Sequence, residues 1–248
     1  MAADWFQKRI VYTVPSMDRV RVERDVTYRT VDGAALKMDV YAPPEPAGAD
    51  RRAIVFFVHG GPVPPDLGAK NLGVFRSYGE LLAASGFVAV TFNHRLHGPA
   101  DYDRSGQDVA AAVDFVRGGA ARFQADPERT AVWAFSGGGP LLAAFFRDPA
   151  PQVKAVVSYY ALLDEPARAV EGGDGPFPPV LIARAGKDDP RFNASVETFA
   201  RAAWAKGVIL DVLNHPTGQH GFDILDDDDR TREIIRRTID FLTERLKR

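Results

Sequence analysis

A serine followed by three glycines stands between two apolar segments in the middle of the chain. Residues 130–135, before Ser136, are uncharged and are β-branched, aromatic or small, which is typical of a strand buried on both faces. After Gly137, Gly138 and Gly139, the apolar run 141–146 can continue as a buried helix. A strand, a serine, a tight glycine turn and a helix together predict a nucleophile elbow, a sharp turn that exposes the serine oxygen.

The elbow sequence departs at one position from the usual Gly-x-Ser-x-Gly pattern, because Ala134 stands where the first glycine is expected. Alanine is still small enough to let the backbone pass closely. Taken alone, glycines after a serine are also compatible with a plain turn or a phosphate-binding loop, although the Lys-Ser/Thr continuation of such a loop is missing here. The remaining chain must therefore supply the context.

Three further polar clusters follow apolar segments: His59-Gly60-Gly61-Pro62, Gly186-Lys187-Asp188-Asp189 and Gly218-Gln219-His220-Gly221. In open α/β sheets, sites form beyond the carboxyl ends of the strands. A serine nucleophile needs a base, the base needs an acid that holds its tautomer, and the tetrahedral intermediate needs backbone N–H donors. The clusters offer a candidate for each group, in the chain order Ser, Asp, His. On chemistry alone, Asp188 and Asp189 are equal candidates for the acid.

The elements that would position these clusters begin with a hairpin. Residues 19–30 and 35–41 alternate between apolar and polar side chains, and Asp32-Gly33 lies between them. Alternation on both sides of an Asp-Gly pair predicts an antiparallel hairpin with one solvated face.

Beyond the hairpin, apolar strand patterns alternate with helix patterns. The predicted strands are 53–58, 87–92, 130–135, 153–160, 180–185 and 208–213, and the predicted helices are 71–85, one capped by Ser105, 194–206 and one that starts at 226–229; residues 164–179 are predicted to form a loop. This order predicts an α/β fold with a mostly parallel sheet, an N-terminal antiparallel hairpin and helices on both faces. We expect a single domain over residues 1–248, with 1–18 as an N-terminal arm or short helix.

Composition limits the classes of function. The 248 residues include 31 basic and 33 acidic side chains, a net charge of −2, which gives no electrostatic case for nucleic acid or an anionic membrane. The absence of cysteine excludes disulfides, thiolate metal sites and a cysteine nucleophile. Neither a signal peptide nor a membrane span is apparent in the sequence, so we expect a cytoplasmic protein, although a chain whose leader had been removed would look the same.

Together the motifs resemble an α/β-hydrolase of the carboxylesterase kind, near the acetyl-esterase and feruloyl-esterase-like branch and dienelactone-hydrolase-related proteins. The resemblance covers nearly the whole chain from Val26 onward. It rests on His59-Gly-Gly-Pro, Asp126-Pro-Glu-Arg, Ala-Phe-Ser136-Gly-Gly-Gly, Gly-Lys-Asp188 and His220-Gly-Phe-Asp223. Dienelactone hydrolases proper use a cysteine, which this chain lacks, so the likeness to them extends only to the fold.

The resemblance implies a role for each site residue. Ser136 would be the nucleophile, His220 the general base and Asp188, in preference to Asp189, the orienting acid. The oxyanion donors would be the N–H groups of Gly137 and of the His-Gly-Gly loop, with Gly61 preferred and Gly60 as the other option.

The expected activity is hydrolysis of carboxylic esters, with small acyl esters favoured, through an acyl-enzyme and without metal or organic cofactor. A small-molecule ester is the expected partner, and both a monomer and a homodimer stay open. A peptidase, an acyltransferase or perhydrolase, and a non-catalytic binding module on the same fold are the alternatives. Substrate choice would depend on the loops 62–70, 94–104 and 162–179.

Overall fold

The N-terminal hairpin predicted from alternation consists of β1 (Arg21–Val31) and β2 (Ala34–Ala42), which pair antiparallel. Their connection is Asp32-Gly33, and both residues have positive φ values, 50° and 79°. Two residues with positive φ form the turn whose twist matches that of the flanking strands. The hairpin belongs to a computed structural model that describes residues 5–45, 51–61, 63 and 67–247.

The chain divides into two compact units, residues 1–57 with 62–130 and residues 58–61 with 131–248. In the first unit the strand order is β1-β2-β4-β3, with β3 at Arg52–Val58 and β4 at Val88–Phe92. Strand β2 pairs antiparallel with β4, and β3 pairs parallel with β4. The hairpin therefore extends a buried parallel pair. Its helices are α1 (Gly73–Ala84) and α2 (Tyr102–Gly118), with 3-10 segments at Met17–Arg19, Ala69–Asn71 and Pro99–Asp101.

Helix α2 begins earlier than its sequence pattern predicts. The 3-10 segment Pro99–Asp101 leads directly into the helix, so Ser105 lies in the fourth helical position and is buried. The prediction of Ser105 as the cap was therefore wrong. The apolar face was correct, because Val109, Val113 and Val116 are buried.

The N-terminal segment packs along α1. The Phe6 carbonyl accepts the Gly73 N–H at 2.8 Å, and the Ile10 N–H donates to Ser77 Oγ at 3.1 Å. Ile10 is buried, whereas Trp5 is exposed. Residues 6–10 are thus held by backbone hydrogen bonds as well as by an apolar side chain.

The second unit has the strand order β5-β6-β7-β8. Strand β5 (Ala125–Phe135) enters this unit at Ala131, and β6 (Val153–Tyr159), β7 (Val180–Ala185) and β8 (Leu210–His215) follow. Strands β6, β7 and β8 are parallel, with Val156 opposite Val180 and Ile182 opposite Val212. The helices are α3 (Ala144–Arg147), α4 (Asp164–Gly172), α5 (Pro190–Ala205), α6 (Phe222–Leu225) and α7 (Asp229–Arg245), and a 3-10 helix spans Ser136–Ala143.

Helix α4 corrects the expectation of a loop over 164–179. Asp164 and Glu165 occupy its first turn, where acidic groups favour the positive end of the helix dipole. Ala167 and Val170 are buried at i and i+3, so one face packs although the following Gly and Pro residues suggest irregular chain. The irregular part is confined to residues 173–179.

The fold class is confirmed. Both units alternate strands with helices, β3 pairs parallel with β4, β7 pairs parallel with β6 and β8, and the hairpin strand β2 pairs antiparallel with both β1 and β4. Among the described residues, none of the helices combines the length and the apolar character that a membrane span requires. The single-domain expectation stays a prediction.

Candidate active site

Ser136 follows β5 directly and has a φ of 52°, a region that non-glycine residues rarely occupy. Such backbone strain persists only where the surrounding structure enforces it, and it is concentrated at functional turns. The residue is therefore held in the strained strand-to-helix turn that the sequence predicts.

The element after Ser136 is a 3-10 helix over Ser136–Ala143, and α-helical geometry begins only at Ala144. The sequence predicts a helix here but not its type. The reason is Pro140, since the first i→i−4 bond to the Ser136 carbonyl would need an N–H that proline lacks. That carbonyl instead accepts the N–H of Leu162 at 3.1 Å.

The loop His59-Gly60-Gly61 lies directly against the elbow. A Cβ placed on Gly60 would lie 2.8 Å from both the Gly137 nitrogen and Ser136 Cβ, and a Cβ on Gly138 would lie 2.6 Å from the His59 carbonyl oxygen. Real Cβ atoms essentially never come closer than 3.0 Å to such atoms. Glycine is therefore the residue that allows these two segments to touch.

The structure brings Ser136, Asp188 and His220 together. His220 Nε2 lies 2.8 Å from Ser136 Oγ, and His220 Nδ1 lies 2.7 Å from Asp188 Oδ2. A carboxylate accepts but does not donate, so Nδ1 carries the proton and Nε2 offers its lone pair to the serine hydroxyl. The Asp188 side chain is only 4% exposed, whereas the imidazole is 38% exposed and can be reached from solvent.

The two adjacent aspartates have different partners. Asp188 Oδ1 accepts the N–H of Asp189, which leaves Oδ2 for the imidazole. Asp189 caps α5, because its Oδ1 accepts the Arg191 N–H at 2.9 Å, and this bond holds the pKa of Asp189 below its usual range. Geometry thus separates two residues that chemistry alone could not.

Backbone nitrogens stand beside the serine. A Cβ on Gly137 would lie 3.5 Å from the Gly61 nitrogen, so the backbone of Gly137 lies close to the Gly61 N–H. His59 is buried, and its Nδ1 contacts the Gly60 carbonyl oxygen at 2.6 Å, which fixes the start of the loop. Pro62 and residues 64–66, which belong to the loop expected to shape the substrate site, lie outside the described residues.

Two aromatic rings contact the imidazole. The ring centroid of Tyr160 lies 4.8 Å from that of His220, and the centroid of Phe192 lies 4.9 Å away at an angle of 66°. The Tyr160 hydroxyl donates to Asp223 Oδ1 at 2.8 Å, and both side chains are buried. Burial raises the pKa of Tyr160 well above its usual value, and the Asp223 charge adds to the shift.

None of these three residues was predicted to have a role from the sequence. Asp223 is the last residue of the His220-Gly-Phe-Asp223 motif. Its position three residues after the predicted base is the sequence feature that could have indicated a role at the site. Tyr160 and Phe192 carried no local signal, because their contact with His220 joins segments far apart in the chain.

A hydrogen-bonded support holds the His220 loop. Asp226 accepts the Gln219 N–H at 3.0 Å and the Gln219 side-chain amide at 2.6 Å. The Lys187 N–H donates to the Gly218 carbonyl at 2.9 Å, which ties the aspartate loop to the histidine loop. Asp226, which belongs to the predicted helix start at 226–229, therefore supports the candidate site, whereas Asp228 is the residue that caps α7.

A parallel sheet with a serine on a strained strand-to-helix turn, and with the aspartate and histidine after later strands, defines an α/β-hydrolase. The chain belongs to the dienelactone hydrolase family, whose model matches residues 94–246. The likeness therefore extends to the sequence and is not confined to the fold, as the missing cysteine had suggested. A second family model, BD-FAE, matches residues 38–148.

Known proteins show the same fold. Esterase 2 of Thermogutta terrifontis, phosphorylated by paraoxon, superposes with a TM-score of 0.74 at 23% identity and covers 93% of this chain and 95% of its own. The propionate-bound form of that esterase gives 0.73 at 22% identity, with 93% and 96% covered. At such identities the likeness shows the fold.

In sequence, mouse carboxylesterase 3B is 28% identical over 126 residues, which are 46% of this chain and 21% of that protein. The matched region thus spans only about a fifth of the length of the curated relatives.

Proposed function

We propose that this protein is a serine hydrolase that cleaves carboxylic esters through an acyl-enzyme. The observation that carries the proposal is the continuous hydrogen-bond chain from Ser136 through His220 to Asp188, with distances of 2.8 Å and 2.7 Å. Serine is a weak nucleophile at neutral pH unless a base removes its proton. In this hydrogen-bonded arrangement, His220 is that base and has the required tautomer.

In the first half-reaction, Ser136 Oγ attacks the ester carbonyl carbon while His220 Nε2 takes the hydroxyl proton. Asp188 stabilises the imidazolium that forms. The oxyanion of the tetrahedral intermediate accepts hydrogen bonds from the Gly137 N–H and from the Gly61 N–H, with the Gly60 N–H as the alternative donor. The intermediate collapses, and the imidazolium gives its proton to the departing alcohol.

In the second half-reaction, His220 removes a proton from water, and the resulting nucleophile attacks the acyl carbon. The ester bond to Ser136 breaks, the serine oxygen recovers its proton from the imidazolium, and the carboxylic acid leaves. Over the two half-reactions, one ester and one water molecule are consumed, and one carboxylic acid and one alcohol are released.

The names of the relatives support ester substrates. One is called a carboxylesterase, and the structural neighbour is an esterase that is phosphorylated by paraoxon in one form and binds propionate in another. Propionate is a short carboxylate, which favours small acyl groups for this chain as well. A cytoplasmic location and a single-domain organisation belong to the same proposal.

The test is hydrolysis of p-nitrophenyl esters from acetate to octanoate by the wild type and by Ser136→Ala. We expect activity on the short esters, and loss of about 10⁶-fold in kcat in the variant, as removal of a serine nucleophile causes elsewhere. Ser85→Ala is the control, since Ser85 ends α1 and its Oγ donates to the Leu81 carbonyl of that helix at 2.8 Å.

A fluorophosphonate probe provides a second readout, because it labels only an activated serine. Labelling confined to Ser136 supports the assignment, and labelling at another residue refutes it. A wild type without hydrolysis, or equal hydrolysis by wild type and Ser136→Ala, points instead to the binding module, and faster transfer to added alcohols than to water identifies an acyltransferase.

A further inference from the structure

The Tyr160–Asp223 hydrogen bond lies beside the imidazole of His220 but outside the proposed catalytic triad. We propose that Tyr160 and Asp223 form a positioning pair that fixes the His220 imidazole against Ser136. This inference rests on the proposed function, because it assigns the pair to the base of that mechanism. Neither side chain is a proton donor or acceptor in the two half-reactions.

Tyr160 contacts the imidazole with its ring. The two ring centroids are 4.8 Å apart and the planes are inclined by 59°, a distance typical of tilted ring contacts. The Tyr160 side chain cannot easily move away, since the residue is only 7% exposed and its ring also contacts Phe135 and Phe222. A fixed ring therefore limits rotation of the imidazole.

Asp223 fixes the hydroxyl end of that ring. Its carboxylate is fully buried and accepts the Tyr160 hydroxyl at 2.8 Å. Asp223 lies in the first turn of α6, three residues after His220, and the intervening Gly221 has a φ of 77°. The hydrogen bond thus ties the short segment that carries the base to the end of β6.

The segment that follows β6 also contacts the nucleophile. Tyr160 has a positive φ of 37°, and two residues later the Leu162 N–H donates to the Ser136 carbonyl at 3.1 Å. Residues 160–162 therefore touch both the base and the backbone of the serine. This arrangement lets one strained segment set the distance between the two reacting groups.

The expected consequence is a change in kcat. A shift of about 1 Å in a reacting group can lower a rate by about 10²-fold even when the substrate still binds. Without the Tyr160 hydroxyl, the ring and the Asp223 turn lose their common anchor, so the imidazole samples more orientations. We expect Tyr160→Phe to lower kcat about 10-fold on p-nitrophenyl acetate while KM changes less than 2-fold.

Tyr159→Phe is the matched control. Tyr159 is the preceding residue, is buried, and bonds Thr238 Oγ1 at 2.7 Å through its hydroxyl, so the substitution also removes one buried tyrosine hydrogen bond. Its ring contacts those of Trp133, Phe135 and Phe222. We expect both variants to lose stability in urea denaturation, Tyr160→Phe the more because its hydroxyl bonds a buried carboxylate, and only Tyr160→Phe to lose kcat. The rate of labelling by a fluorophosphonate should fall in parallel with kcat.

Asp223→Asn and Asp223→Ala give a second comparison. Asparagine keeps an oxygen that can accept the Tyr160 hydroxyl, whereas alanine removes it. We expect Asp223→Asn to retain kcat within about 3-fold and Asp223→Ala to lose at least as much as Tyr160→Phe, because only the second removes the anchor.

The outcomes separate this inference from the proposed function. An inactive wild type, or an active Ser136→Ala variant, contradicts the serine mechanism itself. With an active, Ser136-dependent wild type, equal kcat in Tyr160→Phe and wild type overturns the positioning pair. So does an equal loss of kcat in Tyr159→Phe and Tyr160→Phe, since that outcome shows a general effect of stability.

Discussion

His220 Nε2 lies 2.8 Å from Ser136 Oγ although 84 residues separate the two in the chain. Each residue follows the carboxyl end of a strand, β8 for the histidine and β5 for the serine. Parallel strands end at the same edge of a sheet, so distant segments of the sequence supply neighbouring groups.

Asp188→Asn should lower kcat by about 10⁴-fold, the loss seen when an asparagine replaces the acid of such a triad. The asparagine amide does not hold the proton on His220 Nδ1 as the carboxylate does. The imidazole then takes the other tautomer, in which Nε2 carries the proton and has no lone pair for the Ser136 hydroxyl. Steady-state hydrolysis of p-nitrophenyl acetate measures the effect. Asp189→Asn is the control, because Asp189 contacts Arg191 rather than His220, and its kcat should stay within 2-fold of the wild type. A reversed order of the two variants contradicts the choice of Asp188.

Gly60→Ala should abolish activity or destabilise the protein strongly. The new Cβ would lie 2.8 Å from the Gly137 nitrogen, so the loop must move away from one of the proposed oxyanion donors. Gly106→Ala makes the same chemical change inside α2, where a Cβ meets nothing within 4 Å. That control should gain about 0.5–1 kcal/mol of unfolding free energy at unchanged kcat. Wild-type activity in Gly60→Ala would show that the loop does not need this close approach.

Lys70→Met should destabilise the protein by about 3–5 kcal/mol. The Lys70 side chain is 3% exposed, and its ammonium lies 2.9 Å from both Asp39 and Asp25. Its removal leaves the fully buried Asp39 carboxylate with the exposed Arg24 guanidinium, which lies farther away at 3.4 Å. Urea denaturation at pH 7 measures the loss. Lys37→Met removes an exposed lysine on β2 and should change the unfolding free energy by less than about 0.5 kcal/mol. Comparable losses in the two variants would contradict a specific role for the buried ammonium.

Asp228 should make stability depend on pH in the acid range. Burial by itself raises the pKa of Asp228. The hydrogen bond from the Thr231 N–H and the nearby His215 together lower it by more, so the net pKa lies below the usual value. A carboxyl with a depressed pKa in the folded state adds stability above its unfolded pKa, about 3.9, and loses it as the pH falls through the folded pKa.

Asp228→Asn isolates this contribution, since asparagine can still cap α7 but does not titrate. We expect the wild type to exceed the variant in unfolding free energy at pH 6, and the difference to shrink steadily below about pH 4. Urea titrations at several pH values measure it. Asp228→Ala should cost about 1 kcal/mol at pH 6 through loss of the cap. A difference that is constant down to pH 2 would contradict the lowered pKa.

Several features were determined by local sequence. The Asp32-Gly33 pair predicted the hairpin turn, because few residues other than glycine, asparagine and aspartate tolerate positive φ. Continuous apolar runs such as 53–58 predicted the buried strands. The glycines around Ser136 predicted a close backbone approach, which the distances at Gly60 and Gly138 bear out. Each of these signals depends on a few consecutive residues.

Helix positions were less well determined. The Gly- and Pro-rich composition of 164–179 hid α4, whose stability comes from burying Ala167 and Val170. Helical geometry in a short segment depends more on tertiary packing than on propensity. The start of α2 was also missed. The 3-10 segment Pro99–Asp101 leads into the helix, which begins at Tyr102, three residues before Ser105.

The tertiary structure gave Asp188 and Asp189 different partners, which agrees with the preference for Asp188 from the family resemblance, and it brought Tyr160, Phe192 and Asp223 to the candidate site. Adjacent aspartates have the same chemistry, and only the direction of each side chain at the end of β7 gives one the imidazole and the other the helix cap. Contacts between segments that are tens of residues apart leave no local pattern, because they depend on strand order and register. The sequence therefore specified the candidate catalytic groups, whereas the packing of the sheet specified how they are held.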